Sequence, residues 1–554
     1  MTDATDPYRD AALEQVWRLA ALVDRNPHSP TRGSCSRTHW AWKFSDFPYP
    51  RMQEGVCALV RLYDLDDPRN PLHRSPAVED WVRWGFEYWA SLQHASGAYD
   101  EAYPNEQCLA ATAFTSFYLG QAFLRWRDRL APDLRSRLES AFVRAGAWLC
   151  RHDETHGILS NHLAAAAAGL ETIARIAADA ECSRRAEFFL DRILEHQSPD
   201  GWLLEYDGAD IGYGTHAFFY LAELWKMTGS ERTRAALDRF ADFLAYFVHP
   251  DGTIGGEYGS RNTEFYYPAG FERLAPASAA AASIAAGMRA AIAGRRVCGV
   301  WSMDDFNFMP MLNNLLFAAE AASPGGAAPP LPWQRAPFER YFEHGGLWVV
   351  NRDRFYAIVG LSKGGTVSLF DKTTRHLCAR HAGLIGARGS RRFTTQDHVL
   401  SPPVQWDAQG TAVSMHVPWK SLRTVVFTPR LFLAFRAFTL TLGRIPAISR
   451  RLKALLVHAL IRRKVRPAIA HTRRIALRDD GVEIADDLVL PAGMTDLRAE
   501  ELFTSVHMGS AMYADVRSPG VRAGVDVWAV PAAGRLRLRG QLTTAGTAWI
   551  AEDL

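Results

Sequence analysis

Residues 199–229 read PDGWLLEYDGADIGYGTHAFFYLAELWKMTG. The stretch opens on a turn dipeptide, passes through a Gly-rich loop carrying Asp207, Asp210 and Tyr213, and becomes an apolar run of helical spacing from His216 to Met227. It is a loop feeding a helix. Such a loop gathers ionisable groups on a backbone that can bend closely around a ligand. Tyr213 sits just before the helix, where the positive end of the helix dipole favours a phenolate. The stretch therefore reads as the floor of an active site.

The same code extends outward through residues 10–322. Amphipathic, Ala- and Leu-rich segments at 77–92, 108–129, 132–151, 161–180, 183–196, 213–227, 231–248 and 276–293 predict helices, with almost no strand-like alternation between them. A turn recurs between helices: SGAYDE at 96–101, HGILSN at 156–161, DGWLLE at 200–205 and DGTIGGE at 251–257. Its glycines, 97, 157, 201 and 252, are 60, 44 and 51 residues apart, the size of a helical hairpin, which makes a weak internal repeat of helix pairs. Helix pairs closing into a ring place equivalent loops on one rim, so Glu101, Asn161, Glu205 and Glu257 are expected to line one cleft. Helix capping on solvated turns is the competing use of the same side chains.

The code changes after the Pro/Gly-rich break at 323–337, which sets the expected boundary between a helical domain at 1–322 and a second domain at 338–554. Short alternating runs at 347–352, 355–361, 366–371, 412–417, 424–427, 474–478, 481–490 and 525–530 predict an antiparallel sandwich. One segment departs from it. Residues 430–474 hold twelve Arg or Lys and no Asp or Glu, interleaved with apolar residues at helical spacing. This predicts a helical insertion with either a solvated basic face or an affinity for an anionic membrane surface. Arg436 and Arg444 within the run argue against a spanning helix.

At 554 residues the chain exceeds one ordinary core, and a net charge of +3 confers no general affinity for polyanions. Nucleotide and nucleic-acid partners are not expected, since neither a phosphate-binding loop nor a strand-linked GxGxxG occurs. Seven scattered cysteines without a C-x-x-C spacing fit reduced thiols. The acidic, polar amino terminus and the lack of a long apolar run predict a cytoplasmic protein without signal peptide or transmembrane segment, peripheral at the inner membrane face if the basic segment binds lipid. No cofactor is expected; Asp397, His398 and His416 make a poor ligand set for a structural metal in the second domain.

The chemistry gathers on few residues. Asn161 and His162 are adjacent at the start of an Ala-rich helix, Tyr213 lies one hairpin further on, and GEYGSRN at 256–262 packs Glu257, Tyr258, Arg261 and Asn262 into a polar loop. His216 shares the helical face of Tyr213 and either orients the phenol or packs. The Asn-His pair, the Gly-flanked Tyr one hairpin later and the β-rich second half together resemble the heparinase II/III-like polysaccharide lyases and the related alginate lyases. The resemblance implies an incomplete (α/α) toroid followed by an antiparallel β-sandwich, and cleavage of a uronic-acid-containing oligosaccharide or polysaccharide by β-elimination. It implies that His162 and Tyr213 share the acid and base roles, with Tyr213 as the acid, and that a histidine from the β domain joins them, for which His376 and His381 in RHLCARH are the candidates.

Elimination next to a carboxylate generates a dianionic, enolate-like state. The site must therefore neutralise the carboxylate, for which Asn161, His162 and Arg261 are suited, while a base takes the adjacent proton and an acid protonates the leaving oxygen. Glu101, Glu205, Glu257, Tyr258, Asn262 and His216 are expected to shape the substrate cleft. Two other readings stay open: a glycoside hydrolase on the same scaffold, using paired carboxylates such as Asp100 or Glu101 with Asp207, Asp210 or Glu257, and a non-catalytic glycan-binding protein of polysaccharide assembly.

Overall fold

The structure is a computed structural model and describes residues 6–43, 45–155, 157–323, 328–422, 428–457, 465–500, 526–531 and 534–553. Among the described residues, helices occupy the chain from Pro7 to Ala321, interrupted by one two-stranded hairpin, and antiparallel strands occur between Phe338 and Asp553, interrupted by two α-helices. This is the expected helical toroid followed by a β-sandwich. The segment at 132–151 forms a helix with those bounds, and the others agree to within a few residues, as in Ser160–Ala177 and Ile211–Thr228. Local chemistry sets the ends. Asp210 caps Ile211–Thr228 by accepting from the Tyr213 amide, Gly229 closes it at φ 68°, and Ser230 at once caps Glu231–Leu244. The helix Asp305–Ala321 escapes pattern reading because Pro310 and the Asn313–Asn314 pair interrupt its apolar periodicity.

Small residues bring the central helices together. Ala164 to Ala168 are all fully buried, and a Cβ on Gly169 would lie 3.0 Å from the Ala113 carbonyl of the helix Leu109–Trp126. The other side of Ser160–Ala177 packs against Ile211–Thr228. The first turns of these two helices carry Asn161, His162 and Tyr213.

The recurring turn is a structural repeat. In one copy the Gln93 side chain donates to the carbonyls of Gly97 and Ala141, and Gly97 donates to His94; in the other Gln197 donates to Gly201 and Ala236, and Gly201 donates to Ser198. Gly252 closes the same kind of turn on His249. Each of the first two glycines backs onto the next helix but one at positive φ, 101° for Gly97 and 103° for Gly201, where a Cβ would sit 2.1 Å from the Arg144 carbonyl oxygen or 2.4 Å from that of Arg239. Gly201→Ala therefore combines backbone strain with a backbone clash, and is expected to cost about 2 kcal/mol or more. A denaturant midpoint equal to that of the parent chain would contradict this.

The β region has two layers. A six-stranded sheet, in the order 404–406, 412–416, 470–478, 481–489, 535–543, 546–553, is covered by a five-stranded meander of residues 338–381 and by a second five-stranded sheet that includes Gly383–Arg388 and Asp496–Glu500. The central strands of the meander are buried on both faces. Leu347 and Val349 join the toroid core, while Trp348 and Val350 join the core between the sheets, which is why LWVVN reads as a continuous apolar run. Residues 470–474, expected within the basic insertion, begin the strand Ala470–Arg478 instead. The helical part of the insertion is Pro429–Leu440 and Pro446–Val457. The strand expected at 424–427 lies outside the described residues. Among the described residues no helix is long and apolar enough to cross a membrane.

Candidate active site

The hairpin Leu204–Glu205/Gly208–Ala209 and the first turn of Ile211–Thr228 organise the site. Asp210 is its clamp. One carboxylate oxygen accepts from the Tyr213 amide at 3.1 Å and from the Thr263 hydroxyl, and the other accepts from the Arg261 amide at 2.9 Å. This fixes loop 259–263 against the helix start and lays the Arg261 guanidinium on the Tyr213 ring, 3.8 Å from its centroid. Asp210 and Asp100 are thus structural groups. Asp100 accepts from the amides of Asn105 and Gln107 and pairs with His94, so neither is available for a hydrolase dyad.

Asn161 and Glu205 form a second clamp. The Asn161 side-chain amide donates to both Glu205 oxygens at 2.9 and 2.8 Å, and its backbone N–H donates to one of them at 2.8 Å. Glu205 was expected to line the cleft but is fully buried; it positions Asn161, and Arg261 approaches its other side at 3.9 Å. Beside them His162 is bonded through Nδ1 to the buried Glu154 at 2.6 Å, which leaves Nε2 as the ring nitrogen not used by that bond. Glu101, partly exposed at the rim, pairs with Arg51 at 3.3 Å and accepts from the Cys108 thiol. Arg51 bonds Glu54 at 2.8 Å and stacks 4.2 Å above the Phe114 ring. Sequence reasoning missed Arg51, Glu54 and Glu154, because no motif ties them to the Asn-His pair.

The β layer contributes a different histidine from the two expected. His381 is fully buried against Trp549, its basicity depressed by burial and then by Arg473, and His376 is exposed at the start of its strand; among the described residues no hydrogen bond, ion pair or ring contact brings either to the toroid site. His398 does reach them. A Cβ on Gly208 would lie 2.2 Å from His398 Cε1, so glycine is required there for the imidazole to approach. Gly208 pairs with Glu205 in register, and paired residues of a ladder project to one face, so the His398 ring lies on the Glu205 side of the hairpin. The signal was available in the glycine of YDGAD.

Four expected cleft residues lie elsewhere. Glu257 forms an ion pair with Arg380 of the meander at 3.2 Å, and Tyr258 is buried with its hydroxyl on His249 at 2.8 Å. Asn262, at φ 58°, donates to Gln396 across the boundary between helices and sheets. His216 is buried between Tyr267 and Phe114, with Nε2 on the Tyr220 hydroxyl at 3.1 Å, and burial holds it well below the usual imidazole range. These side chains fasten the toroid rim to the β layer or pack beneath it. Asp207 is exposed.

Electrostatics assign protons. Burial pushes the Tyr213 phenol up to about 12; Arg261 and Arg51 oppose the rise, and Asp210 and Glu205 add to it. Tyr213 is therefore a phenol at neutral pH, against the expectation of a stabilised phenolate. Burial likewise raises Glu205 to about 7, with Arg261, the Asn161 donors and His162 pulling the other way. A carboxyl raised in the folded state contributes stability below its unfolded pKa near 4.5 and loses it as pH rises through about 7. The parent chain is expected to lose stability across that window relative to Glu205→Gln; parallel stability–pH curves for the two chains would refute the assignment.

Among the described residues no group of three or more His, Cys, Asp or Glu is arranged to hold a metal ion. Asp397 bonds Arg466 at 2.8 Å, His398 faces the hairpin, and His416 is exposed on its strand.

No family model and no curated protein sequence matches the chain. Solved structures do. Paenibacillus xanthan lyase is similar with TM-score 0.50 and 11% identity, over 100% of this chain and 55% of that one, so the chain spans about half its length. Streptomyces coelicolor A3 chondroitin AC lyase, solved with chondroitin sulphate, gives 0.49 and 13% over 89% and 71%, and heparinase III gives 0.47 and 10% over 100% and 84%. The chain has the toroid-and-sandwich fold found among polysaccharide lyases. At these identities the likeness is one of fold, and it does not single out the heparinase II/III branch.

Proposed function

We propose that the chain is a lyase that cleaves a uronic-acid-containing glycan by β-elimination in a cleft between a toroid domain at 1–322 and a β domain at 338–554, joined by the linker 323–337. The observation that carries this reading is the placement, on the first turns of two packed helices, of a phenol held in its acid form and an imidazole oriented by a buried carboxylate. The two groups have opposite proton duties. His162, hydrogen-bonded to Glu154 through Nδ1, takes on Nε2 the proton from the carbon next to the uronate carboxylate. That electron pair forms the new carbon–carbon double bond as the glycosidic carbon–oxygen bond breaks, and the leaving oxygen takes the Tyr213 proton. The products are an unsaturated uronate and a free hydroxyl; a proton passed from His162 to Tyr213, directly or through solvent, restores the start.

Arg261 and Asn161 supply the positive field and the donor that such a reaction needs at the carboxylate, with Arg261 also fixing the phenol. Glu205 and Asp210 act as positioning residues, and His398 closes the site from the β layer. The test is a panel of uronate polymers monitored by ultraviolet absorbance. Elimination creates a conjugated double bond that absorbs; new reducing ends without absorbance would mean a hydrolase, and glycan binding without either product a non-catalytic protein.

A further inference from the structure

We infer that the helical hairpin at 429–457 docks on an anionic lipid surface and seats the rim of the cleft against it. The hairpin has two chemically different sides. Its inner side is fastened to the toroid: Arg436 pairs with Asp46 at 2.7 Å, Lys453 with Glu106 at 3.0 Å, and Phe435 meets the Tyr103 ring edge-on at 5.1 Å. Asn105 donates to the Thr439 carbonyl and accepts from the Ser449 hydroxyl. Glu106 in turn accepts from the amides of Glu101 and Ala102, so the hairpin is bonded to the loop that carries a cleft residue.

The outer side holds apolar groups in water. Leu433 is 69% exposed, Leu455 62% and Leu442 53%, with Leu431, Phe432 and Ile445 exposed beside them. Among the exposed large apolar residues of the described chain, this is the one dense run; the others are scattered. Interleaved with them are Arg430, Arg444 and Arg451, all exposed, for which no carboxylate partner within ion-pair distance occurs among the described residues. The cations facing the toroid are neutralised by its acids, whereas those facing outward meet no acid among the described residues, and the segment contains no acid of its own.

Solvent-facing leucines between unpaired arginines, on two helices of 12 residues each, match an element lying in the bilayer interface, with side chains in the acyl boundary and guanidinium groups among anionic headgroups. Neither helix is long enough to span. A second copy is a poor occupant, since a two-fold contact would set the arginines of one hairpin against those of the other. The inference stands on the hairpin alone and does not depend on the reaction assigned to the cleft.

The full chain is incubated with sedimentable vesicles of phosphatidylcholine, or of phosphatidylcholine with 30% phosphatidylglycerol as a probe on the order of natural anionic content, at low and at high salt. Pelleting with the anionic vesicles only, weakened by salt, is expected. Arg430→Gln/Arg444→Gln/Arg451→Gln should lower the partition about fivefold per cation, and Leu433→Ser/Leu442→Ser should lower it at least as far, with the melting curves of both variants unchanged. The arginine variant changes solvated side chains only, so it remains informative if the leucine variant folds poorly. Three results overturn the inference: no pelleting with anionic vesicles, equal pelleting with neutral ones, or a dimer in solution that the same substitutions dissolve.

Discussion

Tyr213→Phe is expected to reduce the rate of ultraviolet-absorbing product formation by about 1000-fold, within the 100- to 10000-fold range of a lost general acid, while leaving glycan affinity and thermal stability near those of the parent chain. The physical basis is local. The ring packs edge-on against Phe265 at 5.1 Å and beneath Arg261 at 3.8 Å, and Phe keeps both contacts. What it removes is the hydroxyl, whose proton burial holds on the oxygen up to a pH of about 12. The same value constrains the pH profile. Tyr213 stays protonated throughout pH 6–10, so no alkaline decline in kcat within that range should trace to it; a decline abolished by Tyr213→Phe would show that the phenol loses its proton there, and a rate that rises with pH through a Tyr213-dependent step would show that the phenolate is the working form. Retention of more than a tenth of the parent rate would remove Tyr213 from the chemistry. His162→Ala separates the roles further, since it takes the base while the acid stays in place.

The residues that announce themselves in the sequence are those whose chemistry is local. Gly97, Gly201 and Gly252 were readable because the turn they close is made within five residues, and the helices followed because Ala-rich periodicity decides them over one turn after another. Asn161, His162 and Tyr213 stood out because each begins a helix beside a glycine-bearing turn. Glu205, Glu257, Tyr258 and Asn262 were misjudged for one shared reason. Polar residues in a loop look solvent-facing, but here each is engaged by a partner: Glu205, Glu257 and Asn262 by residues far away in sequence, Asn161, Arg380 and Gln396, and Tyr258 by the ring of His249 within its own loop region. Burial of a polar side chain is a property of its partner as much as of itself. His398 was weighed as a metal ligand because Asp397 precedes it in sequence, whereas its neighbour in space is Gly208. The meander strands were legible but their environment was not, since a run buried on both faces carries no sign of which residues meet the helices.

Arg473→Leu is expected to destabilise the chain by about 3–5 kcal/mol, the cost of stranding a buried charge. Arg473, Asp486 and His471 are all fully buried between the sheets. Arg473 grips both oxygens of Asp486, at 2.6 and 2.7 Å, and the Trp419 indole N–H donates to His471 Nδ1, which leaves the His471 Nε2–H to donate to Asp486 at 3.0 Å. Burial alone would raise the Asp486 carboxyl; Arg473 and His471 outweigh it and hold the group well below the ordinary carboxylate range. A depressed carboxyl contributes its stability above its unfolded pKa and loses it only as pH falls through the folded one, so the contribution is complete at neutral pH and absent only in strong acid. Removing the guanidinium leaves Asp486 ionised without its main partner. Arg473→Met/Asp486→Leu removes both charges and is expected to recover most of the loss, because a hydrophobic pair of similar volume avoids the desolvation that an ion pair must offset. The consequence reaches the cleft. Arg473 also donates to the carbonyls of Gly364 and Gly365, a Cβ on Gly364 would lie 2.4 Å from the Thr395 carbonyl oxygen, and Val399 donates to Ser362, so this turn braces the segment that delivers His398 to Gly208. Well below the unfolding midpoint, Arg473→Leu should therefore lower product formation by more than its unfolded fraction accounts for. A loss of under about 1 kcal/mol in the single variant, the scale of an exposed ion pair, would mean that the network is solvated rather than buried.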